Sequence, residues 1–279
     1  GSRNAIRIYE ELLKEYPENL EYRWLLNIAY MTLAEYPSKV PDAWLLPGLD
    51  SSMGATDGLM QVQAFRDVAG SLQMDVNNMA GGTIVDDFNN DGYLDVVTSS
   101  WDIDASMHFF KNNGDGSFAD RSGESNLSDI TGGLNLVQMD FNNDGFKDVF
   151  VLRGAWLRGD YGKQPNSLLK NNGDGTFSDI TTKSGLLSFH PTQTATWNDF
   201  NNDGWVDLFI GNETWQGNAS SGEHYCELFL NNKDETFTNV AEKANCKVTG
   251  FIKGVASGDY NKDGLKDLFI TSLTGERFL

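Results

Sequence analysis

The spacing of apolar residues changes character along the chain. Near the N-terminus, Ala5, Ile8, Leu12 and Leu13 recur at helical spacing, and Pro17 stops the run. Trp24, Leu25, Ile28, Ala29 and Leu33 form a second stripe that ends at Pro37. Residues 3–36 therefore predict a short helical hairpin. Residues 37–62 carry Pro37, Pro41, Pro47, Gly48, Gly54 and Gly58 with no period, which predicts a linker or extended segment. Within it, Trp44-Leu45-Leu46 reads as an anchor that packs on a neighbour. Over 63–279 the apolar residues fall in short runs such as Val96-Val97-Thr98, Val149-Phe150-Val151 and Leu208-Phe209-Ile210, which are strand compositions.

These runs sit in a longer repeat. Phe65, Phe118, Phe177 and Phe237 mark equivalent points 53, 59 and 60 residues apart. Three of them follow a hairpin signal: Asn112-Asn-Gly-Asp-Gly116, Asn171-Asn-Gly-Asp-Gly175 and Asn231-Asn-Lys-Asp-Glu235. These turns hold too few carboxylates for a metal and read as structural. Each unit parses into four strands, in the first unit at 83–85, 95–98, 107–110 and from Phe118. Four short strands per unit of this length is the period of a β-propeller blade. The expected fold is mainly β, about four open or truncated blades over 63–279 behind the helical hairpin.

Between the first and second strands every unit carries one nine-residue phrase. The copies are Asp87-Phe-Asn-Asn-Asp-Gly-Tyr-Leu-Asp95, Asp140-Phe-Asn-Asn-Asp-Gly-Phe-Lys-Asp148, Asp199-Phe-Asn-Asn-Asp-Gly-Trp-Val-Asp207 and Asp259-Tyr-Asn-Lys-Asp-Gly-Leu-Lys-Asp267. Oxygen side chains at positions 1, 3, 5 and 9 converge only if the chain turns tightly, and a glycine at position 6 supplies that turn. The expected ligands are Asp87, Asn89, Asp91 and Asp95 with the Tyr93 carbonyl; Asp140, Asn142, Asp144 and Asp148 with Phe146; Asp199, Asn201, Asp203 and Asp207 with Trp205; and Asp259, Asn261, Asp263 and Asp267 with Leu265. Hard oxygens without His or Cys select Ca²⁺ over zinc or copper. One copy could be a metal-free Asx turn; four copies in register favour up to four Ca²⁺. An EF-hand is excluded, because it needs a glutamate at position 12 and flanking helices.

Charge agrees with this. The net charge is −19, which argues against nucleic acid or an anionic membrane as partner. Four Ca²⁺ ions would bring it to −11. No stretch approaches a membrane span. Free Ca²⁺ is scarce in the cytosol, so an extracytoplasmic home is expected (secreted, periplasmic or cell surface). Cys226 and Cys246 are compatible with one disulfide or with two buried thiols. Gly1-Ser2 reads as a cloning remnant, so native targeting would lie elsewhere.

With these motifs in hand, the chain resembles FG-GAP/VCBS repeats over roughly 65–279. The resemblance lies in the D-x-N-x-D-G-x-x-D loops, the N-N-G-D-G-x-F hairpins and Ser184-Gly185-Leu186, with Ser122-Gly123 in part. These are calcium-binding propeller blades also found in integrin α-subunits. Within them the chain is similar to bacterial proteins related to cartilage acidic protein 1, which join such blades to tetratricopeptide helices. Ala5, Tyr9, Leu12, Pro17 and Asn19 resemble one such helical repeat. Those 34 or so residues read either as part of a docking array or as a helical cap. The resemblance implies a six- or seven-bladed ring, Ca²⁺ between strands one and two, and an adhesion or binding role. Three and a half blades cannot close, so a fragment, or blades completed by a partner at the open edge, is expected.

In such a blade the loops between strands two and three share the face opposite the acidic turns. These are residues 99–106, 153–166 and 211–224, and each holds a tryptophan: Trp101, Trp156 and Trp215. Arg153 and Glu213, with Asp102, Asp104, Arg158, Asp160, Tyr161 and His224 nearby, make this the expected face for a protein or glycan partner. The alternative is that each Trp covers the end of its own blade. An enzyme, a propeller-type polysaccharide lyase or hydrolase, would draw on His190, His224, Tyr161, Arg153 or Glu213. No G-x-S-x-G or H-E-x-x-H supports it. His108, inside an apolar run, reads as a strand residue. A purely structural assembly module is the third reading.

Overall fold

The computed structural model describes residues 2–47, 49, 65–157, 159–214, 223–273 and, for the backbone only, 277–278. It divides into two compact units, 1–66 and 67–279.

The first unit is a pair of helices, α1 (Ser2–Glu15) and α2 (Leu20–Met31). Asn19 caps α2, its side chain accepting the Tyr22 N–H at 3.0 Å. Ile6 and Leu13 of α1 pack against Leu26, Ala29 and Tyr30 of α2. The segment expected to be a linker joins this core over its first part. Val40, Trp44 and Leu45 pack on the helices. Asn27, buried in α2, donates to the Trp44 carbonyl at 2.8 Å and accepts the Leu46 N–H at 3.1 Å. A buried amide that must satisfy both of its ends fixes this strap. Most of the remaining linker lies outside the described residues.

The second unit is four antiparallel sheets, each in sequence order. They comprise β1 (Ala80–Asp86), β2 (Asp95–Ser100), β3 (His108–Asn112) and β4 (Phe118–Asp120); β5 (Asn135–Met139), β6 (Asp148–Leu152), β7 (Ser167–Asn171) and β8 (Phe177–Asp179); β9 (Thr192–Asn198), β10 (Asp207–Asn212), β11 (Glu227–Asn231) and β12 (Phe237–Asn239); then β13 (Ile252–Gly258), β14 (Asp267–Ser272) and β15 (Arg277–Phe278). The sheets are open, blade-like layers. β1 lies beside β5, β5 beside β9 and β9 beside β13. Every residue of β6 and β10 is buried. A strand covered on both faces reads as an unbroken apolar run, and that is what Val149-Phe150-Val151-Leu152 and Leu208-Phe209-Ile210 are.

Apolar layers join each sheet to the next. Phe177, which opens β8, sits edge-on to Phe88 and Phe109 of the first sheet at centroid distances of 6.2 and 6.1 Å. Phe237, which opens β12, lies 5.8 Å from Phe141 and 6.1 Å from Trp197. The first asparagine of the second and third hairpins adds a buried polar tie. Asn171 Nδ2 donates back to the Phe88 carbonyl at 2.7 Å, and Asn231 Nδ2 to the Phe141 carbonyl at 2.8 Å. Gly82 lets β1 come close to the second sheet, since a Cβ there would stand 2.4 Å from the Leu136 nitrogen.

Candidate functional site

The four acidic phrases are the turns β1–β2, β5–β6, β9–β10 and β13–β14, all built alike. Their glycines, Gly92, Gly145, Gly204 and Gly264, have φ of 87°, 91°, 85° and 89°. Open space surrounds each of them, so the constraint is the dihedral alone. The residue at position 4 is also left-handed: Asn90, Asn143, Asn202 and Lys262, with φ of 58°, 57°, 56° and 64°.

Inside each turn the oxygens face inward to backbone N–H groups. Asp140 accepts Asp144 N at 3.1 Å and Gly145 N at 2.9 Å; Asn142 Oδ1 accepts Asp144 N at 3.2 Å; Asp144 Oδ1 accepts Phe146 N at 3.0 Å. The same set recurs around Asp87, Asp199 and Asp259. The position-9 carboxylate takes a different part. Asp148 accepts Phe141 N at 3.2 Å and Asn171 N at 2.8 Å, so it bridges the turn to the third strand. Asp95 and Asp207 do the same, whereas Asp267 accepts Tyr260 N at 3.1 Å. Burial pushes Asp148 up to about 7 and also raises Asp95 and Asp207.

Among the described residues, no three carboxylate, imidazole or thiol groups gather closely enough to hold an ion by themselves. The donor chemistry of each turn is wider than that set, because an amide oxygen and a main-chain carbonyl complete it. The Lys111 ammonium already sits on Asp91 Oδ2 at 2.7 Å. In the other three turns the asparagine at position 3 donates to that same oxygen: Asn142 to Asp144 at 2.8 Å, Asn201 to Asp203 at 3.1 Å and Asn261 to Asp263 at 3.0 Å. In the first turn Asn89 Nδ2 is left buried with no hydrogen-bond partner. Three carboxylates, an amide oxygen and a main-chain carbonyl in each turn are a donor set that fits a hard cation.

The turns are also chained together. Asn90 Nδ2 donates to the Gly145 carbonyl at 3.0 Å, Asn143 to Gly204 at 3.5 Å and Asn202 to Gly264 at 2.8 Å. Position 4 looks like filler in the sequence. Its signal is the second asparagine of each Asn-Asn pair, a residue that tolerates the left-handed region.

The first three acidic turns each open a family match. Residues 87–151, 140–210 and 199–270 fit the model of the FG-GAP-like repeat, each match beginning at a position-1 aspartate and ending within the second strand of the next sheet. The chain belongs to the FG-GAP-like repeat family. It is also 28% identical over 152 residues to cartilage acidic protein 1 of Xenopus tropicalis, a stretch covering 54% of this chain and 21% of that relative. The chain thus matches about a fifth of the relative's length.

On the far side of the FG-GAP blades, the expected aromatic loops divide. Trp101 Nε1 reaches the Ala155 carbonyl of the second blade at 3.5 Å. Arg153 is held by the Thr131 carbonyl at 2.8 Å, the Pro165 carbonyl at 3.0 Å and Ser167 Oγ at 2.7 Å, and burial lowers it to about 10. Both act as clips between or within blades. Trp156 is different. Its backbone is left-handed, with φ of 67°, its N–H donates to Glu213 at 2.9 Å, and its side chain is half exposed. Glu213 also pairs with Lys253, whose ammonium lies 3.9 Å from the Phe251 ring centre and 5.0 Å from that of Trp156. Burial raises the Glu213 carboxyl, with Lys253 opposing. Trp215 and Arg158 lie outside the described residues.

The histidines named for the enzyme reading do meet: His190 and His224 share an Nδ1–Nδ1 contact of 2.8 Å, and burial lowers His190. His190 lines a cavity of about 600 Å³ with Tyr225 and Glu227. Glu213 and Arg153 are engaged elsewhere and do not line it. Cys226 and Cys246 are unlinked neighbours of one apolar cluster, and burial pushes Cys226 up to about 12.

Proposed function

We propose that this chain is a cation-braced segment of FG-GAP blades that serves as a non-enzymatic, extracytoplasmic binding module for a protein partner. The observation that carries the reading is the row of four equivalent acidic turns, linked through Asn90, Asn143 and Asn202, with the Lys111 ammonium standing at one of them. Ca²⁺ would be held in the first turn by Asp87, Asn89, Asp91, the Tyr93 carbonyl and Asp95. The other turns would use Asp140, Asn142, Asp144, Phe146 and Asp148; Asp199, Asn201, Asp203, Trp205 and Asp207; and Asp259, Asn261, Asp263, Leu265 and Asp267. The ion neutralises carboxylates that otherwise repel one another, and the chain's own asparagines tie one turn to the next.

The partner-binding side would be the aromatic face, with Trp156 as its anchor. A rigid aromatic whose backbone is pinned by a buried carboxylate loses little freedom on binding. Family membership supports a binding or adhesion role over catalysis, and exposed oxygen sites suit compartments rich in Ca²⁺.

Thermal unfolding in calcium and in chelator tests the brace. At a hundredfold excess over Kd each occupied turn adds about 2.7 kcal/mol, so the midpoint in millimolar Ca²⁺ is expected several degrees above that in EGTA. Equal midpoints would remove the cation from the account.

A further inference from the structure

The four turns are not equivalent in the cations the chain itself brings to them. Lys111 precedes the hairpin asparagine Asn112 on β3 and bonds to Asp91 at 2.7 Å. This contact occupies the oxygen that position 3 serves elsewhere, leaving Asn89 Nδ2 without a partner. Lys170 holds the same place on β7, yet its ammonium pairs with Glu235 of the next hairpin, which Lys183 also contacts at 2.6 Å. Glu235 stands where the other hairpins have Gly116 and Gly175. In the third unit that strand position is Leu230, and Lys233 from the hairpin approaches Asp203 at the longer distance of 3.3 Å. Lys147 lies within the second turn and Lys262 and Lys266 within the fourth, but among the described residues no ammonium pairs with Asp144 or Asp263.

Building on the cation reading of the turns, we propose that these lysines rank the four sites for a divalent ion. The turns at Asp144 and Asp263 fill first, the turn at Asp203 next and the turn at Asp91 last. An ion entering the first turn must displace the Lys111 ammonium from Asp91. Glu235 is the positioning residue that keeps Lys170 away from the second turn. At the short range of these contacts and near-surface dielectric, one unit charge corresponds to about tenfold or more in affinity.

Glycine at position 6 gives each turn its own reporter. The full chain, labelled with ¹⁵N-glycine, is titrated with CaCl₂ while the amide signals of Gly92, Gly145, Gly204 and Gly264 are followed. Gly145 and Gly264 are expected to shift at the lowest Ca²⁺, then Gly204, with Gly92 about tenfold later. Lys111→Met brings Gly92 forward to the range of Gly145. Glu235→Gln releases Lys170 and moves Gly145 to higher Ca²⁺ while leaving Gly264 in place. Four signals moving together, or a Gly92 midpoint indifferent to Lys111→Met, would overturn the ranking and leave the cation reading standing. No shift at any of the four up to millimolar Ca²⁺ would remove the cation reading, and the ranking with it.

Discussion

Single side chains carry much of this architecture because they satisfy backbone groups that nothing else reaches. Asn171 is the clearest case: its Nδ2 bonds to the Phe88 carbonyl at 2.7 Å and to the Lys147 carbonyl at 3.1 Å. Asn112, its counterpart in the first hairpin, reaches only the Leu94 carbonyl, at 3.1 Å. Removing a buried partner costs the desolvation of what it leaves behind, about 1–3 kcal/mol. Asn171→Ala is therefore expected to lower stability by about 2–3 kcal/mol in urea unfolding, and Asn112→Ala by less than half of that. Equal losses would mean that the bond between blades adds nothing. At this scale the sequence is partly legible. The left-handed glycines follow from the Asp-Gly chemistry of the phrase. The inward role of Asp95, Asp148 and Asp207 does not, because an aspartate that bridges two strands and one that rims a turn look alike in a string of letters.

At the scale of elements, strands two, such as β6 and β10, are readable as uninterrupted apolar runs, and the hairpins as Asn-Gly and Asp-Gly pairs. What escapes is the contact between elements distant in sequence. Trp101, Arg153 and Trp156 fall on one set of loops, but Arg153 is drawn inward by three acceptors while Trp156 stays half exposed. That difference depends on Glu213 and Lys253, about 60 and 100 residues further on. The segment 37–47 likewise reads as a linker because its prolines break any period, although Asn27 ties it to α2. The Lys253–Glu213 pair joins the third sheet to the fourth, and the Glu213 side chain is only 2% exposed. Removing one partner of a buried pair leaves an uncompensated charge, at about 3–5 kcal/mol. Lys253→Met is expected to lose at least 2 kcal/mol in urea unfolding, with part of it restored when Glu213→Gln is added. Additive losses would show that the two groups are uncoupled.

Across the second unit, position by position, the middle of each second strand marks where a neighbouring sheet covers it. Val97, Phe150 and Phe209 are fully buried, whereas Phe269 of β14 is 42% exposed. An aromatic in a strand centre facing solvent, with Tyr260, Leu265 and Leu273 also exposed, is a surface suited to a further sheet or a second copy. Sedimentation of the 279-residue chain is expected to show concentration-dependent association that Phe269→Glu reduces. A monomer at all concentrations, unchanged by the substitution, would show that this face needs no cover.

The binding module proposed above depends on divalent ions in the acidic turns. Its most direct test is the amount of calcium bound per chain after equilibrium dialysis at millimolar Ca²⁺, measured by elemental analysis on the full chain and on the double variant Asp140→Asn, Asp144→Asn. The expected result is close to four ions per chain, and one fewer in the variant. A chain that retains no calcium, or a variant that retains as much as the parent, would contradict it.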